Sequence, residues 1–129
     1  MTMEYRRLGA SGLEVSTVCL GTMTFGDRTD VAMSQRIVDS AFDAGINFID
    51  TADVYVKGES EKIVGPAIKA NRRRWILATK VGNVMTSKPH DGGLSRRWIL
   101  QACDDSLARL ATDYIDIYYL HRDDVDTPK

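Results

Sequence analysis

The stretch NFIDTADVYVKGESEKIVGPAIKA, residues 47–70, decides how this chain is built. Asn47-Phe48-Ile49-Asp50 reads as a short strand ending in a carboxylate, Thr51 to Gly58 as a loop, and Glu59 to Ala70 as a helix. Ile63, Val64, Ala67 and Ile68 recur at helical spacing and give that helix one apolar side. Pro66 removes a backbone donor inside the same window, so a kink or a shortened helix is expected there.

The same strand–loop–helix unit is legible on both sides. Upstream, Val18-Cys19-Leu20-Gly21 is a short apolar run that opens into the loop Thr22-Met23-Thr24-Phe25-Gly26. A helix follows from Val31 to Ala44, with Ile37, Val38, Ala41 and Phe42 on one face, Asp30 placed to cap its start and Gly45 to stop it. Downstream, Trp75 to Thr79 reads as a strand, Gly82 to Gly93 as a long polar loop, and Arg96 to Leu110 as a helix capped by Ser95. Ile99, Leu100, Cys103, Leu107 and Leu110 are expected to form its apolar face. Tyr114 to Leu120 is a last β-type run, ending at His121. Ahead of everything, Tyr5 to Leu8 and Leu13 to Ser16 flank the turn-forming Gly9-Ala10-Ser11-Gly12 and predict a β-hairpin.

Strands alternating with helices at this spacing predict successive βαβ crossovers and a parallel sheet. The expected class is α/β. A closed eight-stranded barrel of this kind takes roughly 250 residues. The chain has 129, so four strands and three helices would make the N-terminal half of a (β/α)8 TIM barrel, preceded by the hairpin, as a single partial barrel domain over residues 1–129. An open half-barrel exposes two strand edges and an apolar inner face, from which self-association is expected.

Composition narrows the partners. With 17 Lys+Arg against 18 Asp+Glu the net charge is -1, which excludes a global field toward nucleic acid or lipid. No run approaches ~20 apolar residues and the N-terminus MTMEYRRLGASG lacks an apolar signal core, so neither membrane insertion nor export is expected. Cys19 and Cys103 lie far apart, without a CxxC or Cys/His ligand spacing, so no metal site is expected and a reducing, cytoplasmic setting fits.

In parallel α/β folds the chemistry gathers at the carboxyl ends of the strands. Four titratable residues fall there: Asp50, Tyr55 in the loop that follows it, Lys80 and His121. A free phenol holds its proton to about pH 10, too firmly for proton donation near neutrality. A Lys80 ammonium beside Tyr55 favours the phenolate, and Asp50 keeps that ammonium charged and in place. His121 can donate a hydrogen bond to a carbonyl oxygen and orient it toward Tyr55. This set suits carbonyl reduction.

The run Gly45-Ile46-Asn47-Phe48-Ile49-Asp50-Thr51-Ala52-Asp53-Val54-Tyr55, followed by Gly58-Glu59-Ser60-Glu61, resembles the signature segment of the aldo-keto reductases. The resemblance continues through Leu20-Gly21-Thr22-Met23, Ala78-Thr79-Lys80-Val81-Gly82, Ser106-Leu107-Ala108-Arg109-Leu110 and Asp113 to Arg122, spanning nearly the whole chain. It implies a catalytic tetrad of Asp50, Tyr55, Lys80 and His121, with Tyr55 as general acid acting on an aldehyde or ketone. It further implies a nicotinamide cofactor, usually NADPH, bound without a GxGxxG fingerprint, and the sequence contains none. Gly21, Thr22 and Met23 would lie against the nicotinamide ribose end, with Asp50 nearby. The family's grip on the carboxamide, its ring-stacking residue and its 2′-phosphate ligands come from a second half, so the length is expected to reflect a fragment or truncated reading frame of a longer enzyme. The alternative is a noncatalytic member that binds NADPH or a protein partner, as a redox-sensing or channel-associated subunit would.

The remaining features have plainer expectations. Arg72-Arg73-Arg74 reads as a solvated loop, and His90-Asp91-Gly92-Gly93 as a mobile linker rather than a metal or lid element. Trp75 and Trp98 are expected between helix and sheet. Cys19 and Cys103 read as small apolar fillers without a basic neighbour. Phe25 and Val54 are candidates for lining a substrate pocket.

Overall fold

The computed structural model describes residues 2–128. β1 (Tyr5–Arg7) and β2 (Glu14–Ser16) pair antiparallel as the hairpin. The rest forms one parallel sheet in the order β3 (Leu20–Gly21), β4 (Phe48–Asp50), β5 (Ile76–Val81), β6 (Ile117–Leu120), which is also the order along the chain. Each crossover from β3 onward carries a helix: α1 (Val31–Asp43), α2 (Glu59–Ile68) and α3 (Arg96–Leu110). The α/β class and its parallel sheet are therefore as the hydrophobic periods predict. No helix among the described residues is long and apolar enough to cross a membrane.

Local chemistry sets the helix ends. Asp30 accepts from the Met33 N–H at 2.8 Å, and Ser95 from the Trp98 N–H at 3.2 Å, each satisfying one of the first-turn donors. α2 is shortened, as Pro66 predicts: after Ile68 the chain tightens into a 3-10 segment, Lys69–Arg74, before entering β5.

The pleat sorts side chains by parity. Ile49 and Leu77 point to the helices and are fully buried with Val38, Val64, Ile68, Trp75 and Leu110 in the main core. Farther along the sheet Val81 packs with Trp98 and Ala102 in a second cluster. Both tryptophans thus sit between helix and sheet. The opposite parity, through Asp50, Lys80 and His121, carries the polar groups. Register fixes their levels: Asp50 lies opposite Ala78, two residues before Lys80, and Lys80 lies opposite Tyr119, two residues before His121.

Four expectations are corrected by packing. On α3 the buried stripe is Trp98, Ala102, Ser106 and Leu110, while Leu100 is 51% exposed. Helical period alone leaves the rotational phase open; the small residues Ala102 and Ser106 let α3 sit close to its neighbours, and Trp98 fills the space at its start. Phe25 does not line a pocket; it is buried in the main core. Arg72 is not solvated: its guanidinium pairs with Asp116 at 3.1 Å, donates to the Trp75 and Tyr114 carbonyls and to Thr112 Oγ1, and lies 3.8 Å from the centre of the Tyr114 ring. Cys19 is no filler, being exposed at the sheet edge beside the polar groups described next.

Candidate active site

Asp50 is the last residue of β4, and its backbone is clamped from both sides. The Thr22 N–H and Thr22 Oγ1 both donate to the Asp50 carbonyl, at 3.1 and 2.9 Å. Ser60, in the first turn of α2, donates to the Thr22 carbonyl at 2.8 Å and shares hydrogen bonds of 3.0 Å with the hydroxyls of Thr22 and Thr51. This buried hydroxyl chain ties the ends of β3 and β4 to α2 and fixes where the Asp50 side chain starts.

Lys80 leaves β5 on the same face as Asp50. Its Nζ donates to Asp50 Oδ2 at 2.6 Å, to the Thr51 carbonyl at 2.7 Å and to the Tyr55 hydroxyl oxygen at 3.1 Å. An ammonium has three hydrogens to give, and all three are used. Because Tyr55 accepts from Lys80, its own O–H is left to point elsewhere. The ion pair is mostly buried, with 13% and 24% of the two side chains exposed, so the charges act through a medium less screening than water.

Tyr55 is delivered by a tight turn. The Tyr55 N–H donates to the Ala52 carbonyl at 3.3 Å, and Val56 and Lys57 then adopt the left-handed conformation, with φ of 49° and 53°, before Gly58 at 92°. A β-branched residue in that region is strained. His121 follows β6, its N–H bonded to the Val81 carbonyl at 2.8 Å as a continuation of the ladder. Its ring meets that of Tyr55 edge-on, with centroids 5.8 Å apart and planes at 87°. Burial, with Lys80 adding, holds the imidazole below its ordinary value, and Asp50 opposes this.

These four residues therefore converge, and Asp50, Lys80 and His121 border an open cleft of about 410 Å³ with Cys19, Phe48, Tyr119 and Leu120. Cys19 faces the charged pair; partial burial of its thiol, with Asp50 adding and Lys80 opposing, pushes it up to about 11. A wider cleft of about 680 Å³, among Leu94, Ile99, Arg122 and Asp124, holds no such constellation. Of the residues expected to meet a dinucleotide, Gly21 and Met23 are exposed at the rim, Met23 by 64%. A Cβ on Gly21 would meet nothing within 4 Å, so the backbone there is open to a flat ring or sugar. Thr22 is 1% exposed and offers no free side chain. Gly21 and Met23 thus leave room for the nicotinamide end of such a cofactor, and Thr22 instead braces Asp50 from behind.

Three residues of this region were given no role by the sequence reading. Glu61 is wholly buried, receiving Thr79 Oγ1 at 2.5 Å and Arg109 Nε at 2.6 Å. Asp53 is buried with neither oxygen hydrogen-bonded in good geometry. Asn83 approaches the His121 ring at 3.0 Å. A carboxylate at a helix start and a lone amide after a strand carry no distinguishing local signal, because what they meet lies 18 to 48 residues away.

Comparison with known proteins places the chain among its relatives. The model of the Aldo/keto reductase family matches residues 17–129. Among curated proteins, the chain is 46% identical over 125 residues to the uncharacterized oxidoreductase YqkF of Bacillus subtilis, covering 92% of this chain and 39% of that one. It is 42% identical over 132 residues to a probable voltage-gated potassium channel subunit beta of Arabidopsis thaliana, covering 98% and 39%. Among solved structures, it superposes on the holo form of the aldo-keto reductase AKR11C1 from Bacillus halodurans with a TM-score of 0.86 and 45% identity, over 98% of this chain and 42% of that one. The chain thus spans about two-fifths of the length of the relatives it matches.

Proposed function

This chain belongs to the aldo/keto reductase family, and from that premise we propose that it contributes the proton-donating half of a carbonyl reductase site, for reduction of aldehydes or ketones to alcohols with NADPH. Its four parallel strands correspond on this reading to the first half of a (β/α)8 barrel, supported by the superposition that covers 42% of the solved relative. The observation that carries the proposal is the three-way coordination of Lys80 Nζ by Asp50, Thr51 and Tyr55.

Each residue has a distinct task. Asp50 holds the ammonium in place. Lys80 presents a positive charge to the Tyr55 oxygen, where negative charge develops as the phenol releases its proton. Tyr55 Oη, already accepting from Lys80, directs its hydrogen to the substrate oxygen and acts as general acid. His121, across the Tyr55 ring, donates to the same oxygen and sets its approach. Gly21, Met23 and Asp50 would border the cofactor, which would supply the hydride.

The test is NADPH oxidation with a nitrobenzaldehyde, run on this chain within a complete reductase barrel. Tyr55→Phe there is expected to lower turnover at least about 10²-fold while NADPH affinity, followed by fluorescence titration, stays nearly unchanged. Wild-type rates in that variant would remove Tyr55 as the acid. A second reading, a noncatalytic member that associates with itself or with a protein partner, is favoured by the apolar exposure of Met23 and Leu120, 64% and 60%, at the two ends of the sheet order. Sedimentation as an associated species that binds NADPH without oxidising it would select that reading.

A further inference from the structure

One side chain outside the tetrad touches it. Asn83 Nδ2 lies 3.0 Å from Nδ1 of His121. We infer that Asn83 is a positioning residue that donates its amide N–H to His121 Nδ1, and so fixes the ring as the Nε2–H tautomer, the form able to donate to a substrate oxygen. The inference rests on the reading of His121 as the group that orients the carbonyl.

The chemistry of the two groups leaves one arrangement. An amide NH2 only donates, so the ring nitrogen facing it must present its lone pair. A neutral imidazole has a single N–H, and with Nδ1 accepting, that hydrogen is on Nε2. The ring is neutral near neutrality, because burial and Lys80 disfavour the imidazolium and Asp50 only partly restores it. Asn83 adds to this: imidazolium would place a second N–H on Nδ1, against the amide hydrogens.

The backbone keeps the contact in place from both sides. His121 is pinned by its N–H to the Val81 carbonyl at 2.8 Å, and the Gly82 carbonyl accepts from the Gly93 N–H at 3.1 Å. Between them Gly82 takes φ of 132°, which re-aims the chain after β5, and a Cβ there would press on Leu94 Cδ2 at 3.1 Å. The groups that face the ring are Lys80 from β5, Asp50 from β4, Tyr55 from the loop after β4, and Asn83 itself.

Long-range proton–nitrogen NMR on the 15N-labelled chain tests this directly. The chain has two histidines, and a His121→Gln sample identifies the resonances of the other, His90. The expected spectrum of neutral His121 has a protonated Nε2 and a bare Nδ1; a protonated Nδ1 in the neutral form overturns the inference. Asn83→Asp should raise the His121 titration midpoint by about one pH unit or more and protonate Nδ1. An unchanged midpoint in a folded Asn83→Asp protein also overturns it. Should that variant not fold, the wild-type spectrum still decides. The expected tautomer together with undiminished turnover of Tyr55→Phe in a complete barrel supports this assignment while removing the proposed acid, so the two fail separately.

Discussion

Glu61 Oε2 accepts from Arg109 Nε at 2.6 Å, with the carboxylate wholly buried, and this contact ties the first turn of α2 to the last turn of α3 behind the candidate site. Its other oxygen receives Thr79, one residue before Lys80 on β5. A charge removed from water in this way is tolerated only while its partners remain.

Arg109→Met therefore strands the Glu61 charge. Destabilisation of about 3–5 kcal/mol is expected in urea unfolding. The double variant Glu61→Gln with Arg109→Met should recover part of that loss, because the uncompensated charge is gone. A loss under about 1 kcal/mol in the single variant would show that the pair is not the tie described here.

Asp53 makes stability depend on pH in the less common direction. Burial, with Glu61 adding, pushes its carboxyl from 3.8 up to about 6, and the neighbouring Val54 N–H and the Arg109 and Lys80 charges only partly oppose this. The folded protein binds this proton more tightly than the unfolded chain. The contribution is thus complete below about pH 4 and is lost as pH rises through about 6. The difference in pKa is worth roughly 3 kcal/mol. Asp53→Asn should consequently gain stability over wild type as pH rises from 5 to 8, measured by melting at each pH. A constant difference across that range would contradict the assignment.

Val56 sits at φ 49° immediately after Tyr55. A left-handed residue with a side chain costs roughly 1–2 kcal/mol, and glycine gives back about 0.5–1 kcal/mol through its greater freedom when unfolded. Val56→Gly should raise the melting temperature by about a few degrees. A lower melting temperature would mean that the valine side chain contributes packing greater than the strain.

Gly65 lets α2 pack tightly against the backbone at the end of α3. A Cβ at this position would run into the Leu110 carbonyl oxygen, carbonyl carbon and Cα, which are backbone and cannot swing aside. Gly65→Ala is expected to destabilise by about 1–3 kcal/mol despite the better helix propensity of alanine, read from denaturant midpoints. A stabilised variant would show that the two helices can separate at no cost.

The order of strands and helices, the caps at Asp30 and Ser95, and the placing of Asp50, Lys80 and His121 at strand ends were all written in the sequence. They depend on hydrophobic period and on residues at most four positions apart, so local chain chemistry suffices to specify them. The tertiary structure decided which way each element is turned and what each polar group meets. Leu100 belongs to the helical period of α3 yet lies outside, Arg72 closes onto Asp116, Glu61 finds Arg109, and Asn83 finds His121. Each of these pairs spans tens of residues, and its geometry follows from close packing of whole elements, which no window of neighbouring residues contains.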